Sequence, residues 1–463
     1  STPFFLLIYE LVPGTKFFRA PSTIIYVFAF VVSVLAALGT ERLIARDVSR
    51  RLIFAWLGVG AVIALLATTG ALTSVARGGA ITMSERIAEQ NGYPATAVPQ
   101  IAEQLANDNA GAVIAGGWRS FAFLALAAGA MLLWLRGTIP VRVLGIALAA
   151  IIAVDLWSIG RLYWQFSPPA RTLYASDPVI ELLRKEPQPG RVVVVGGSGE
   201  GVKHPDPYYG TNMMGSGTGL MVHGIRSILG YHGNELGRYD KLKELRLAGG
   251  APVTLSPSFW AHENARYLYT NRAVADSGLK LLAGPVQNSA GSTVYLYRLP
   301  GDNPYAWVAT GMAQAPDSMV LPAVVDPRFD PRRIAVFSDT SALQMAKLTT
   351  APPASALTTT TSAFGPGHAT IALSEPAPAG ATLVVSENYY PGWGATVDGI
   401  ARPVYRADYN LIGVPLPAGA RTVELTFRDA AIGTGKAITI VAVLLALLAL
   451  AGGVVMDRRQ QLA

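Results

Sequence analysis

Residues 437–456 form an uncharged apolar run of about 20 residues, the length an α-helix needs to cross the hydrocarbon core of a bilayer. Four further runs have the same character, at roughly residues 22–39, 52–72, 118–135 and 140–159. Within a membrane the backbone must satisfy its own hydrogen bonds, so five such runs predict a helical bundle. Immediately before the last run, residues 386–428 alternate apolar and polar positions between turn signals, which reads as a β-meander. Asp398-Gly399 is placed as a two-residue type I′ hairpin turn requires, and Pro417-Ala418-Gly419 marks a second reversal. An all-β module tied directly to a membrane helix excludes a soluble enzyme.

Composition agrees. Of 463 residues, 51% are hydrophobic and only 14% charged, yet long stretches are polar and rich in turn residues. That mixture fits several membrane helices plus a large water-exposed part. Cysteine is absent, which removes disulfides, a thiolate nucleophile and cysteine metal sites, and suits an exported domain.

The net charge of +7 is largely topological. Arg42, Arg46, Arg50 and Arg51 connect the first two runs, Arg136 and Arg142 connect the third and fourth, and Arg458 and Arg459 follow the fifth. With the tail cytoplasmic, all three sets lie on the cytoplasmic side, as the positive-inside rule requires. No basic, aromatic-interleaved stripe is left for a nucleic acid. The expected architecture is thus a transmembrane bundle over residues 1–160 with an outer loop at 73–117, an extracytoplasmic α/β domain at 161–315, a small extracytoplasmic β-sandwich at 316–430, and a C-terminal transmembrane helix at 437–456. In the outer loop, Val98, Ile101, Ala102 and Leu105 recur at helical spacing, predicting a short amphipathic helix on the membrane surface or on its own protein. Ser1 is not an initiator Met, and residues 4–11 are apolar but lack the length of a span and the basic region of a signal peptide. The sequence reads as the C-terminal portion of a longer membrane protein.

In the outer region, Ser176-Asp177-Pro178 supplies a helix cap and a first-turn proline ahead of VIELLRKE. RVVVVGG follows as a buried strand, with further strands predicted near residues 266–270, 293–298 and 305–310. Residues 349–361 have linker composition, although their threonine run could equally begin a strand.

Several pieces carry a family resemblance. ENYYPGW, then VDG, then LPAGARTVELTF ahead of a final membrane helix resemble the C-terminal end of the YfhO family of bacterial membrane proteins. PGTKFFRAPS, DPVIELLRKEPQPGRVVVVG, GYHGNELGRYDKL, ARYLYTN and STVYLYRLP agree in the same order, so the resemblance covers essentially the whole chain. It implies a relation to GT-C glycosyltransferases, multi-span enzymes that take a sugar from a polyprenyl-phosphate carrier on the outer face of the bacterial cytoplasmic membrane. In such enzymes the catalytic Asp lies in a first outer loop near the N-terminus, and the resemblance implies that the present sequence starts after that half. The alternative is a non-catalytic membrane subunit whose outer domains bind or stabilise a larger complex.

Transfer from a lipid-phosphate sugar needs cations for the phosphate and a carboxylate to activate the acceptor. Lys16 and Arg19 flank the first run on the outer side and can hold a phosphate; equally, they can snorkel to lipid headgroups. Asp155 lies within the fourth run near its outer end, where an ionisable group is either functional or paired. Arg119 and Arg161 fall near the same boundary and favour a structural pair over a catalytic role. Glu10 is a second, weaker acidic candidate. Tyr389, Tyr390 and Trp393 could stack on a sugar, although rings around Pro391-Gly392 also suit a tight turn filling the edge of the β-module. Tyr231, Asn234, Arg238 and Tyr239 offer another polar face. His204, His223, His232, His262 and His368 show no metal-ligand spacing, and VVVVGGSGEG does not match a dinucleotide-binding fingerprint. No metal or cofactor is expected. The expected partners are the lipid bilayer, a polyprenyl-phosphate-linked sugar and other membrane subunits.

Overall fold

The structure is a computed structural model that describes residues 11, 25–75, 77, 78, 81, 98–164, 166–186, 190–196, 206–209, 218–230, 235–247, 249–338, 350 and 352–462. The chain divides into two compact units, Ser1–Phe166 and Ser167–Ala463.

Among the described residues, the long helices of the first unit are α1 (Ile25–Ile44), α2 (Arg50–Thr68), α3 (Val98–Leu135) and α4 (Val141–Gly160). All four are long and apolar enough to cross a membrane, and most of their apolar side chains face outward. A helix in lipid has no hydrophobic drive toward its neighbours, so close approach depends on small residues. That is how α2 meets α3: Ala64 and Ala67 are fully buried, and a Cβ on Gly117 would stand 2.9 Å from the Ala67 Cβ. Trp118 Nε1 donates to Thr68 Oγ1 at 2.9 Å across the same seam. The third run is longer than its apolar core. Val98, Ile101, Ala102 and Leu105, expected in a separate surface helix, fall in the first turns of the 38-residue α3. At 1.5 Å per residue α3 is about 57 Å long, well beyond a hydrocarbon core of about 30 Å.

The second unit opens with α5 (Pro178–Lys185). Its Asp177 cap accepts hydrogen bonds from the Val179 and Ile180 amides at 2.8 and 2.9 Å. A five-stranded mixed sheet follows, in the order β2 (Arg226–Ser227), β1 (Arg191–Val195), β3 (Ala265–Thr270), β5 (Thr293–Arg298), β4 (Lys280–Gln287). Strands β2, β1 and β3 run parallel, and β5 and β4 are antiparallel additions. Val179, Ile180 and Leu183 of α5 cover one face. The other is covered by Leu242 of α6 (Gly237–Glu244), Phe259 of α7 (Pro257–His262) and Val320 of α8 (Asp317–Val324). Burial on both faces explains why β1 reads as unbroken valine.

Two further sheets share one core. One has the order β13 (Ile400–Arg402), β12 (Trp393–Val397), β16 (Thr422–Phe427), β10 (His368–Leu373), β9 (Thr359–Gly365). The other runs β6 (Ala306–Ala309), β11 (Thr382–Asn388), β15 (Leu411–Pro415), β14 (Tyr405–Ala407), β8 (Ile334–Phe337), β7 (Gly311–Gln314). Leu383 and Val385 of β11 meet Ile371, Val397 and Leu425 of the facing sheet, while Val384 points into a second cluster with Trp307 and Phe337.

Two further sequence expectations change in detail, and one that left linker and strand open resolves as strand. Residues 305–310, expected beside the first sheet, contribute β6, which pairs with β11 in the last sheet. The threonine run at 358–361 begins a strand, β9. Residues 386–428 are not a simple meander: the Asp398-Gly399 hairpin is present, with Val397 opposite Ile400, but the Pro417–Gly419 turn carries the chain from one sheet to the other. The unit ends in α9 (Ala430–Leu462), whose residues 430–456 form the fifth candidate span.

Candidate functional site

Of the acidic and basic candidates, Glu10, Lys16 and Arg19 lie outside the described residues, as do Tyr231, Asn234, His204 and His232. Asp155 sits on α4 with Arg119 of α3 beside it: Arg119 Nη2 lies 3.1 Å from Asp155 Oδ1, and Arg119 Nη1 donates to Ser158 Oγ at 2.6 Å. An ion pair between neighbouring apolar helices removes the cost of an isolated charge there. The arrangement ties α3 to α4.

Of the three aromatic candidates, only the two tyrosines reach a cavity. Trp393 turns inward, against the core and 5.3 Å from the Phe427 ring. Gly392, at φ +118°, makes that turn possible, because a Cβ there would stand 2.8 Å from the Arg428 carbonyl oxygen. Tyr389, which packs partly against the same core, and the exposed Tyr390 also line a cavity of about 300 Å³. Its other walls are Arg238 at the start of α6, Asn388 at the end of β11, and Arg406 and Asn410 on either side of the β14–β15 turn. The structure thus brings together the tyrosines and Arg238, two candidate faces far apart in sequence. Tyr239, the next residue, turns away and donates to the Ile228 carbonyl.

Two groups hold these walls. Asp317, on α8, accepts from Arg406 Nη1 at 2.8 Å through Oδ1 and from Arg238 Nη1 through Oδ2. Burial alone would raise the Asp317 carboxyl, but hydrogen bonds from Arg406 and Ser338 and the two guanidinium charges bring it below the ordinary value. Behind the cavity, Asn410 Nδ2 donates to Asn388 Oδ1 at 2.9 Å and to the buried Glu263 Oε1 at 3.0 Å, and Asn410 Oδ1 meets His262 Nε2 at 2.9 Å. Glu263 belongs to a larger buried set. Arg191 Nη2 lies 3.3 Å and Arg226 Nη2 2.6 Å from the Glu387 carboxylate, which also accepts from Tyr305 Oη at 3.0 Å. Arg191 further donates to Ser386 Oγ at 2.8 Å and to the Ser386 carbonyl at 2.6 Å. Burial works against the Arg191 charge, yet Glu387 and Glu263 outweigh it and hold the guanidinium above its ordinary value; for Arg226, burial and the neighbouring Arg191 prevail and lower it.

Sequence reasoning missed Arg191, Arg226, Glu263 and Glu387. Only Arg191 and Glu387 carried a signal, a charge at the end of an apolar strand, as in RVVVV and LVVSEN. Among the described residues, no group of three His, Asp or Glu side chains could hold a metal ion. His223 accompanies Tyr208 at 2.9 Å, and His368 is exposed.

Fold and site define a multi-helix membrane protein with a β-rich module joined to its last helix. The family description for the bacterial membrane protein YfhO matches residues 355–439, from just before β9 into the first turns of α9, so this segment is similar to that family. The matched stretch contributes Asn388, Tyr389, Tyr390, Arg406 and Asn410 to the cavity but not Arg238. No curated protein and no solved structure matches the chain.

Proposed function

We propose that the chain works in GT-C-type glycosyl transfer on cell-envelope glycoconjugates, with a polyprenyl-phosphate-sugar donor at the outer face of the bacterial cytoplasmic membrane. In this reading the β-rich part, a small sandwich with its adjoining mixed sheet, stands on the outer side and the tail after α9 is cytoplasmic. Lys16 and Arg19 hold the donor phosphate near the first span, and the cavity beside Tyr389 and Tyr390 holds a saccharide unit.

The cavity carries the reading. Its two tyrosines offer flat apolar faces for the C–H surfaces of a sugar, and its asparagines and arginines offer hydrogen bonds to hydroxyls. Few polar groups converging on an apolar wall is the usual composition of a small-ligand site. The Asn410 bonds to Glu263, His262 and Asn388 fix these groups before a ligand arrives, which lowers the entropy lost on binding.

The Arg119–Asp155 pair favours a second reading, a non-catalytic subunit that presents glycan to a partner, because it gives the intramembrane carboxylate a structural task. Transfer of labelled sugar from a polyprenyl-phosphate donor by the full-length protein in a bilayer separates the two. Enzymatic transfer should fall roughly tenfold or more in Arg19→Ala, from loss of a charge-assisted phosphate contact. Absence of transfer, with stoichiometric copurification of another membrane subunit, supports the subunit reading instead.

A further inference from the structure

We propose that the cavity beside Tyr389 and Tyr390 takes an acidic saccharide unit, a sugar bearing a carboxylate, in preference to a neutral one. This rests on the saccharide reading of the same cavity and adds its charge.

Two arginines from different elements, Arg238 and Arg406, reach this wall, and one carboxylate, Asp317, answers both. Both charged side chains that line the cavity are cationic, and Asp317 stands outside the lining. The buried set behind the cavity does not cancel their charge, since Arg191 and Arg226 are matched there by Glu263 and Glu387. Arg406 is only 13% exposed and Arg238 45%, so the cationic pair lies at a partly desolvated wall, where an anion is attracted more strongly than at an open surface.

The polar groups point the same way. Asn388 Oδ1 is engaged by Asn410, which leaves the amide NH₂ as the end of Asn388 that can donate to an anion. Arg406 Nη1 is held by Asp317 and by the Tyr409 carbonyl at 2.9 Å, so the guanidinium is fixed in orientation. A planar carboxylate matches a guanidinium edge with two parallel hydrogen bonds, which a hydroxyl cannot do. At about 300 Å³ the cavity lies at the small end of ligand sites, which run from roughly 300 to 1,000 Å³, suiting one or two sugar residues.

The test is calorimetric titration of the full chain in nanodiscs of zwitterionic lipid, with trigalacturonate and its neutral counterpart galactotriose, and with the monosaccharides galacturonate and galactose 6-phosphate, as probes. Trigalacturonate should bind roughly tenfold or more tightly than galactotriose, with the preference weakening as salt rises. Arg238→Gln should remove that preference, whereas Asp317→Asn, which deletes the competing carboxylate at nearly constant size, should strengthen it. A purely structural role for the cluster predicts weaker binding in both variants and would overturn the proposal. Equal affinity for the acidic and neutral trisaccharides overturns the acidic preference and leaves the saccharide reading standing; binding of neither to folded protein removes both. Tighter binding of galactose 6-phosphate than of galacturonate overturns the carboxylate assignment.

Discussion

Asp408 is buried completely in the turn between β14 and β15, with φ +44°, and its Oδ1 accepts from the Val336 amide at 2.8 Å while Oδ2 has no hydrogen-bond partner. Burial pushes its carboxyl from 3.8 up to about 7, the Val336 bond only partly opposing this. The folded chain therefore keeps this proton where the unfolded chain has lost it, so the group lowers stability as pH rises from about 4 to about 7. Asn at the same place keeps the acceptor and tolerates the left-handed backbone. Asp408→Asn should flatten that decline and stabilise the protein near neutral pH by an amount on the order of a few kcal/mol, read by thermal unfolding across pH. Glu387 behaves oppositely. Its loss strands Arg191 and Arg226 among buried groups, and Glu387→Ala should cost about 3–5 kcal/mol in the same measurement. Neither residue announces itself in sequence. Asp408 lies in ADYNL, a turn without glycine or proline, and Arg191 and Arg226, the charged partners of Glu387, stand 196 and 161 residues earlier in the chain, so the charges meet only through tertiary folding.

At the scale of elements, what was legible was periodic or chemically punctuated. Spans of unbroken apolar residues, the Asp177 cap and the Asp398-Gly399 hairpin all follow from local rules, and all are present. What sequence did not resolve is which sheet a strand joins. Ala306–Ala309 follows directly on the first sheet, but its long-range pairing with β11 places it in the last one. The length of α3 was hidden for a related reason, since polar residues continuing a helix beyond a span look like a loop to a hydropathy window. The Gly117 seam offers a test at this scale. Gly117→Leu would thrust a branched side chain against Ala64 and Ala67, and should separate α2 from α3. Thermal unfolding of the detergent-solubilised chain should show a loss, whereas Gly39→Leu, with nothing within 4 Å of its Cβ, should not.

For the whole molecule, the family match, the five apolar helices and the β-rich unit agree with the reading of the sequence, while the side of the membrane proposed for that unit rests on the distribution of arginines alone. The proposed chemistry depends on that side, since a polyprenyl-phosphate donor at the outer face can serve only an outer module. The chain's lack of cysteine makes this directly measurable, because each introduced thiol reports alone. Ala401 in the β-rich unit and Thr138 between α3 and α4 are both exposed. In intact cells, a membrane-impermeant maleimide should label Ala401→Cys and spare Thr138→Cys until the membrane is opened. Labelling of Thr138→Cys with protection of Ala401→Cys would invert the molecule and contradict the account.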